Sequence, residues 1–190
     1  HGSNGVVVAS LTHASAEEVA GRDLPLPKGA IGTLHHHAYA SLPARPPVAE
    51  DGKHLAEWNA WVEPKGADLQ MGAAEKATTD LEIMDDYHGK SGGDLALERV
   101  NVLRSRMIPP EKWPESARRF WRLWSAWLSE TGYVDFTGMI EQALEYGELP
   151  WGTQALFVDE AQDSSRLEMA LVRKWGAGCE IFVVAGDPDQ

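Results

Sequence analysis

Cysteine is almost absent: Cys179 stands alone among 190 residues, so no disulfide can close within the chain. A reducing compartment, the cytoplasm by default, is what this fits. Long apolar runs are missing as well. The longest, such as Val6 to Ala9 and Ile181 to Ala185, fall far short of the roughly 20 residues that span a bilayer, and no charged-then-apolar leader precedes them, so a soluble protein without a membrane partner is expected. Positive charge is scarce, with 17 Lys and Arg against 29 Asp and Glu and a net charge of -12. That balance excludes binding to nucleic acid by indiscriminate attraction, which needs cations to neutralise phosphates.

Against these absences stands enough apolar material, 43% of residues, to fill a core. The opening His-Gly-Ser reads as the remnant of an expression tag and carries no functional weight. One stretch reverses the global charge: Arg99, Arg104, Arg106, Lys112, Arg118, Arg119 and Arg122 face only Glu111 and Glu115. It is either a solvated helix face or a phosphate track.

Val6 to Leu11 is a β-branched apolar run followed by Thr12 and Ser15-Ala16-Glu17-Glu18, a strand passing into a helix. Ala30 to Leu34 forms a second short strand, and His35 to Leu42 continues as a helix until Pro43. From about Val48 to Gly147 the apolar spacing turns helical, clearest in Glu115 to Leu128, where Phe120, Trp121, Trp124, Trp127 and Leu128 recur at three- and four-residue steps. These rings are read as core; the alternative is a stacking platform for unpaired bases. After Pro150 strands return, Ala155 to Val158 and Glu180 to Ala185, around a helix from about Ser165 to Trp175. Such a βαβ unit implies parallel pairing. The expected fold class is α/β, a parallel sheet built from residues 4–42 and 149–190 with a mostly helical insertion at 43–148.

The apolar strand Leu156-Phe157-Val158 ends in Asp159-Glu160, and ligands of open α/β sheets gather beyond the carboxyl ends of strands. Adjacent carboxylates there suit phosphoryl transfer, one holding Mg²⁺ and the other positioning or deprotonating water. The competing reading is an acidic helix N-terminus favoured by the backbone dipole. His35-His36-His37 invites a metal, but consecutive side chains diverge and no partner pattern accompanies them. Cys179 is read as a small buried residue beside a strand rather than a nucleophile.

Val158-Asp159-Glu160-Ala161-Gln162-Asp163 resembles motif II of the UvrD/Rep-like, superfamily-one DNA helicases, and Gly186-Asp187-Pro188-Asp189-Gln190 resembles their motif III. Upstream, Ser10-Leu11-Thr12-His13-Ala14-Ser15-Ala16-Glu17-Glu18 is similar to motif Ia, with Leu11 and His13 departing from its pattern, and Ile31-Gly32-Thr33-Leu34-His35 resembles motif Ib. Asp135-Phe136-Thr137-Gly138-Met139-Ile140 is similar to the segment that follows the family's helical insertion. The five pieces stand in the family order. The resemblance implies a truncated RecA-like P-loop NTPase sheet and a parent enzyme that couples Mg²⁺-ATP hydrolysis to 3′-to-5′ movement on single-stranded DNA or at a junction, or else a helicase-nuclease subunit. It implies Asp159 for Mg²⁺, Glu160 as general base, Gln190 as γ-phosphate sensor and Gln162 as the coupling residue. Thr12, His13, Thr33 and His35 would touch the DNA backbone.

Nowhere in these 190 residues does Gly-x-x-x-x-Gly-Lys-Ser/Thr occur. Gly89-Lys90-Ser91 is the nearest imitation, without the upstream glycine or the preceding apolar strand. The isolated chain is therefore expected to bind neither ATP nor Mg²⁺ productively. Two rival readings remain: a non-catalytic DNA-binding module built on the basic, Trp-rich insert, and a piece that associates, with itself included, through exposed sheet edges.

Overall fold

The computed structural model describes residues 5–22, 24–27, 29–49, 52–72, 91–150 and 152–187, the side chains of His13, Gly52 and Lys53 apart. The chain divides into two compact units, residues 1–45 with 137–190, and residues 46–136. The fold is α/β, a four-stranded all-parallel sheet with seven helices among the described residues. Such a sheet is compatible with a RecA-like arrangement.

In the first unit the strands are β1 (Val6–Ser10), β2 (Ile31–Thr33), β3 (Ala155–Asp159) and β4 (Ile181–Val184), in the spatial order β2-β1-β3-β4. β1, β3 and β4 carry the near-continuous apolar sequences of strands in a parallel sheet covered on both faces. The helices of this unit are α1 (His13–Ala20), α2 (Leu34–Ser41), α6 (Phe136–Tyr146) and α7 (Arg166–Gly176). Gly32 abuts the rings of His36 and His37, and Gly176 abuts the ring of Phe182. The strand register puts Gly32 and Phe182 on the face that also carries Val7, Ala9, Leu156 and Val158, so α2 and α7 share that face. The step from β1 to β2 runs opposite to the step from β3 to β4, so right-handed crossovers put α1 on the other face.

That second face is covered only in part. Phe157, Ile181 and Val183 are exposed there, and Phe182 and Val184 are exposed on the first face. β4 is thus an edge strand with all four apolar side chains open.

Helix α6 belongs with the sheet although its sequence lies in the stretch assigned above to the insertion. Met139, Ile140 and Ala143 are buried, and Lys174 Nζ and Trp175 Nε1 of α7 donate to the carbonyl of Gly147 at 2.9 and 3.2 Å. These bonds satisfy a carbonyl that the end of α6 leaves without an intrahelical donor.

The second unit is built on α3 (Gly52–Gly66), α4 (Gly92–Ser105) and α5 (Glu115–Thr131). Gly132 stops α5 in a left-handed conformation, φ 72°, which glycine adopts without a Cβ penalty. Trp58, Phe120, Trp124 and Trp127 form its centre, all at most 1% exposed. The Trp58 ring meets Trp124 edge-on at 5.0 Å, a favoured aromatic geometry. These rings are core, which leaves no stacking platform in them. Beside them Arg104 forks onto buried Asp135 at 2.7 and 3.0 Å, and Trp124 Nε1 donates to the same carboxylate at 2.7 Å. Among the described residues no helix is long and apolar enough to cross a membrane.

Candidate functional site

At the carboxyl edge of the sheet Ser10 is in register with Thr33 on one side and Asp159 on the other, so three polar side chains stand in a row on one face, neighbouring strands lying about 4.8 Å apart. Ser10 and Thr33 are buried and Asp159 is half-buried. Thr33 caps α2, its hydroxyl accepting the His36 N–H at 3.1 Å. Thr12, exposed, caps α1 by accepting the Ser15 N–H at 3.1 Å and donates to Ser15 Oγ at 2.9 Å. Both hydroxyls therefore do structural work, each satisfying an orphan amide at a helix start.

Beyond Asp159 the backbone turns sharply. Glu160 has φ 57° and ψ 37°, the left-handed region, which costs a non-glycine residue about 1–2 kcal/mol. Its N–H donates to Asp159 Oδ1 at 3.0 Å, and the Ala161 N–H donates to the carbonyl of Ala185 at 2.9 Å. A single 3-10 turn, Ala161–Asp163, follows. The Glu160 carboxylate, half-buried, accepts from Gln162 Nε2 at 2.6 Å, while Gln162 Oε1 accepts the Asp187 N–H at 3.1 Å. The segments after β3 and β4 are joined here.

Neither acid lies at the start of an α-helix; Glu160 precedes only a single 3-10 turn. The next helix, α7, is capped by Ser165 and Glu168 through a reciprocal capping box, and the Glu160 side chain makes no capping bond to the turn it precedes. The Ser-x-x-Glu spacing was legible in the sequence as a helix start.

His35 is half-buried in the first turn of α2; burial lowers its pKa below 6.5, opposed by the nearby Glu168 carboxylate. His37 is buried, with Nε2 3.0 Å from the Val8 carbonyl; burial lowers its pKa too, against that hydrogen bond, with His36 adding to the lowering. His36 is exposed. The three rings thus serve three different environments, and among the described residues no group of three or more His, Cys, Asp and Glu could hold a metal. Gln190, with Pro188 and Asp189, lies outside the described residues, as do the His13 side chain, Gly89 and Lys90. Ser91 caps α4 together with Asp94. Cys179 is half-buried rather than buried; partial burial raises its thiol above its ordinary value, and its Sγ meets the Trp175 carbonyl at 3.4 Å.

In the second unit three of the seven cations of the basic stretch are held in ion pairs. Arg104 is buried on Asp135, Arg118 pairs with Glu115 at 2.6 Å, and Arg119 forks onto Asp68 at 2.7 and 3.1 Å. The Arg119 guanidinium holds the Asp68 carboxyl below its usual range. Ser10 in the polar row and Gly186 against Gln162 stood in the motif-like segments without a role of their own, and their places become visible only through strand register and a close approach. No family model matches the chain, and no curated protein matches it.

Proposed function

We propose that this chain is part of the motor domain of an ATP-dependent DNA helicase or translocase resembling the UvrD/Rep-like enzymes, and that Asp159 and Glu160 are the acidic half of its nucleotide site. The observation that carries the reading is the carboxylate pair at the end of β3, with Glu160 in a left-handed conformation and bridged by Gln162 to the segment after β4. Local strain in an otherwise regular sheet is characteristic of functional positions. The order of the five motif-like segments adds the nucleic-acid half of the reading.

Asp159 presents one carboxylate rather than a cage of ligands, and this donor set fits Mg²⁺, which keeps waters and shares substrate phosphates. Bound Mg²⁺-ATP supplies the electrophilic phosphoryl group and a cation that offsets its charge. Within that complex Asp159 would hold the metal, Glu160 would take the proton of the attacking water and Gln190 would read the γ-phosphate. Thr12, His13, Thr33 and His35, at the starts of α1 and α2 in the segments that resemble the family's DNA-contacting motifs, are the residues assigned to the DNA backbone; Thr33, buried, would act by aiming α2 and its amides rather than by its hydroxyl. A cytoplasmic location suits the lone thiol.

The phosphate-cradling loop is absent from these 190 residues, so the chain alone hydrolyses no ATP and unwinds no DNA. Mg²⁺- and DNA-stimulated turnover by the purified chain, abolished in Glu160→Gln, would overturn that statement. The rival DNA-binding module loses support because Trp58, Trp113, Trp124 and Trp127 are buried and Arg118 and Arg119 are engaged in ion pairs. One observation favours self-association of the isolated chain: the open, apolar β4 edge. Sedimentation across a concentration series tests it, and a monomer throughout would refute it.

A further inference from the structure

The carboxylate of Glu160 is held by a side chain that has a second engagement. Gln162 Nε2 donates to Glu160 Oε2 at 2.6 Å, and its Oε1 accepts the backbone N–H of Asp187 at 3.1 Å. An N–H can only donate and an ionised carboxylate can only accept, so one orientation of the amide serves both partners and the opposite one serves neither. The short contact to Glu160 has the length of a charge-assisted bond. Gly186 makes the approach possible. A Cβ there would stand 2.7 Å from Gln162 Oε1 and 3.1 Å from the Gln162 backbone nitrogen, closer than a methyl group and an amide oxygen can approach. Backbone bonds hold the two segments side by side, the Ala185 N–H donating to the Val158 carbonyl at 2.8 Å and the Ala161 N–H to the Ala185 carbonyl at 2.9 Å.

We propose that Gln162 is a positioning residue for Glu160: its amide ties the carboxylate to the Gly186–Asp187 backbone, so that displacement of this segment releases the carboxylate. The geometry makes Gly186 part of the device, since any larger residue pushes the Gln162 amide aside. The consequence for chemistry rests on the reading of Glu160 as general base. With Oε2 bonded to Gln162, that oxygen is engaged, and a ligand that shifts the segment after β4 frees it. Regulation of the base therefore enters from β4 rather than from β3.

The test uses nuclear magnetic resonance on the 190-residue chain, reading hydrogen exchange at the Asp187 amide and the carboxyl carbon resonance of Glu160. Gln162→Met keeps the side-chain bulk and removes both bonds. It is expected to speed Asp187 exchange by about five- to tenfold, the worth of one hydrogen bond, and to shift the Glu160 carboxyl resonance, while the Leu156 and Val158 amides exchange at the wild-type rate. Gly186→Ala should produce both changes although neither hydrogen-bonding side chain is altered; should that variant fail to fold, Gln162→Met decides alone. Unchanged Asp187 exchange and an unmoved Glu160 resonance in Gln162→Met would overturn the proposal. So would acceleration spread equally over Leu156 and Val158, which marks a merely structural role. If ATP hydrolysis by the full-length gene product ignored Glu160→Gln while these signals behaved as expected, the base reading would fall and the clamp would stand.

Discussion

Glu160 pays for its place in backbone strain, and that strain separates its structural cost from its chemical use. Because its φ is 57°, Glu160→Gly should leave stability to urea unchanged or raise it by up to about 1 kcal/mol, whereas Glu160→Val, β-branched and ill-suited to positive φ, should lower it by about 1–3 kcal/mol. Equal destabilisation by both would show that the carboxylate, not the backbone, is what the fold depends on. Asp135 makes the opposite case. It is completely buried and accepts from Arg104 and Trp124, so Asp135→Ala strands a buried guanidinium and should cost the helical unit about 3–5 kcal/mol by chemical denaturation. The sequence placed Asp135 in a family-like segment but offered no sign of its partner, since Arg104 lies 31 positions away. His35 and His37 set a pH dependence: both titrate below 6.5 when folded because burial penalises the imidazolium. In the window between those folded values and about 6.5 the unfolded chain binds more protons, so stability is complete above the window and falls as pH drops through it, by at most about 1.4 kcal/mol per pH unit for each histidine. His37→Gln should flatten that slope in denaturation measured from pH 7 to pH 5.

At the scale of elements, most of the secondary structure was readable because local signals and periodicity agreed. The β-branched run at Val6–Ser10, the 3.6-residue aromatic spacing in α5 and the Ser165-x-x-Glu168 start of α7 each name their element without tertiary help. The cap is open to a direct check: Ser165→Ala should lower stability by about 1 kcal/mol and fray the start of α7 in amide exchange, without effect on the second unit. What was not legible is which unit owns α6. Its apolar pattern is equally good for a bundle or for a sheet face, and only the bonds from Lys174 and Trp175 to Gly147 reveal its neighbour. Likewise the Trp-rich pattern of α5 cannot by itself say whether rings stack on each other or on bases. Burial answers that, and it implies that Trp58→Ala, which empties the centre of the aromatic cluster, should cost about 3–5 kcal/mol.

For the whole molecule, the sequence order of strands and helices was enough to expect a parallel sheet, because right-handed βαβ connections leave few alternatives. The spatial order β2-β1-β3-β4 required the structure, and it aligns Thr33, Ser10 and Asp159 along one edge. The acids are visible in the sequence as a pair; the strained backbone of Glu160 and the Gln162 bridge are not, the bridge being completed by a bond to Asp187 across 25 residues. That edge is where the proposed nucleotide chemistry must happen. The direct measurement is ATP hydrolysis by the full-length gene product with Mg²⁺ and single-stranded DNA, comparing wild type with Glu160→Gln. The expected result is a loss of kcat of about 10²-fold or more, by analogy with removal of a catalytic proton acceptor, with ATP binding retained. Unchanged DNA-stimulated turnover in Glu160→Gln would contradict the assignment.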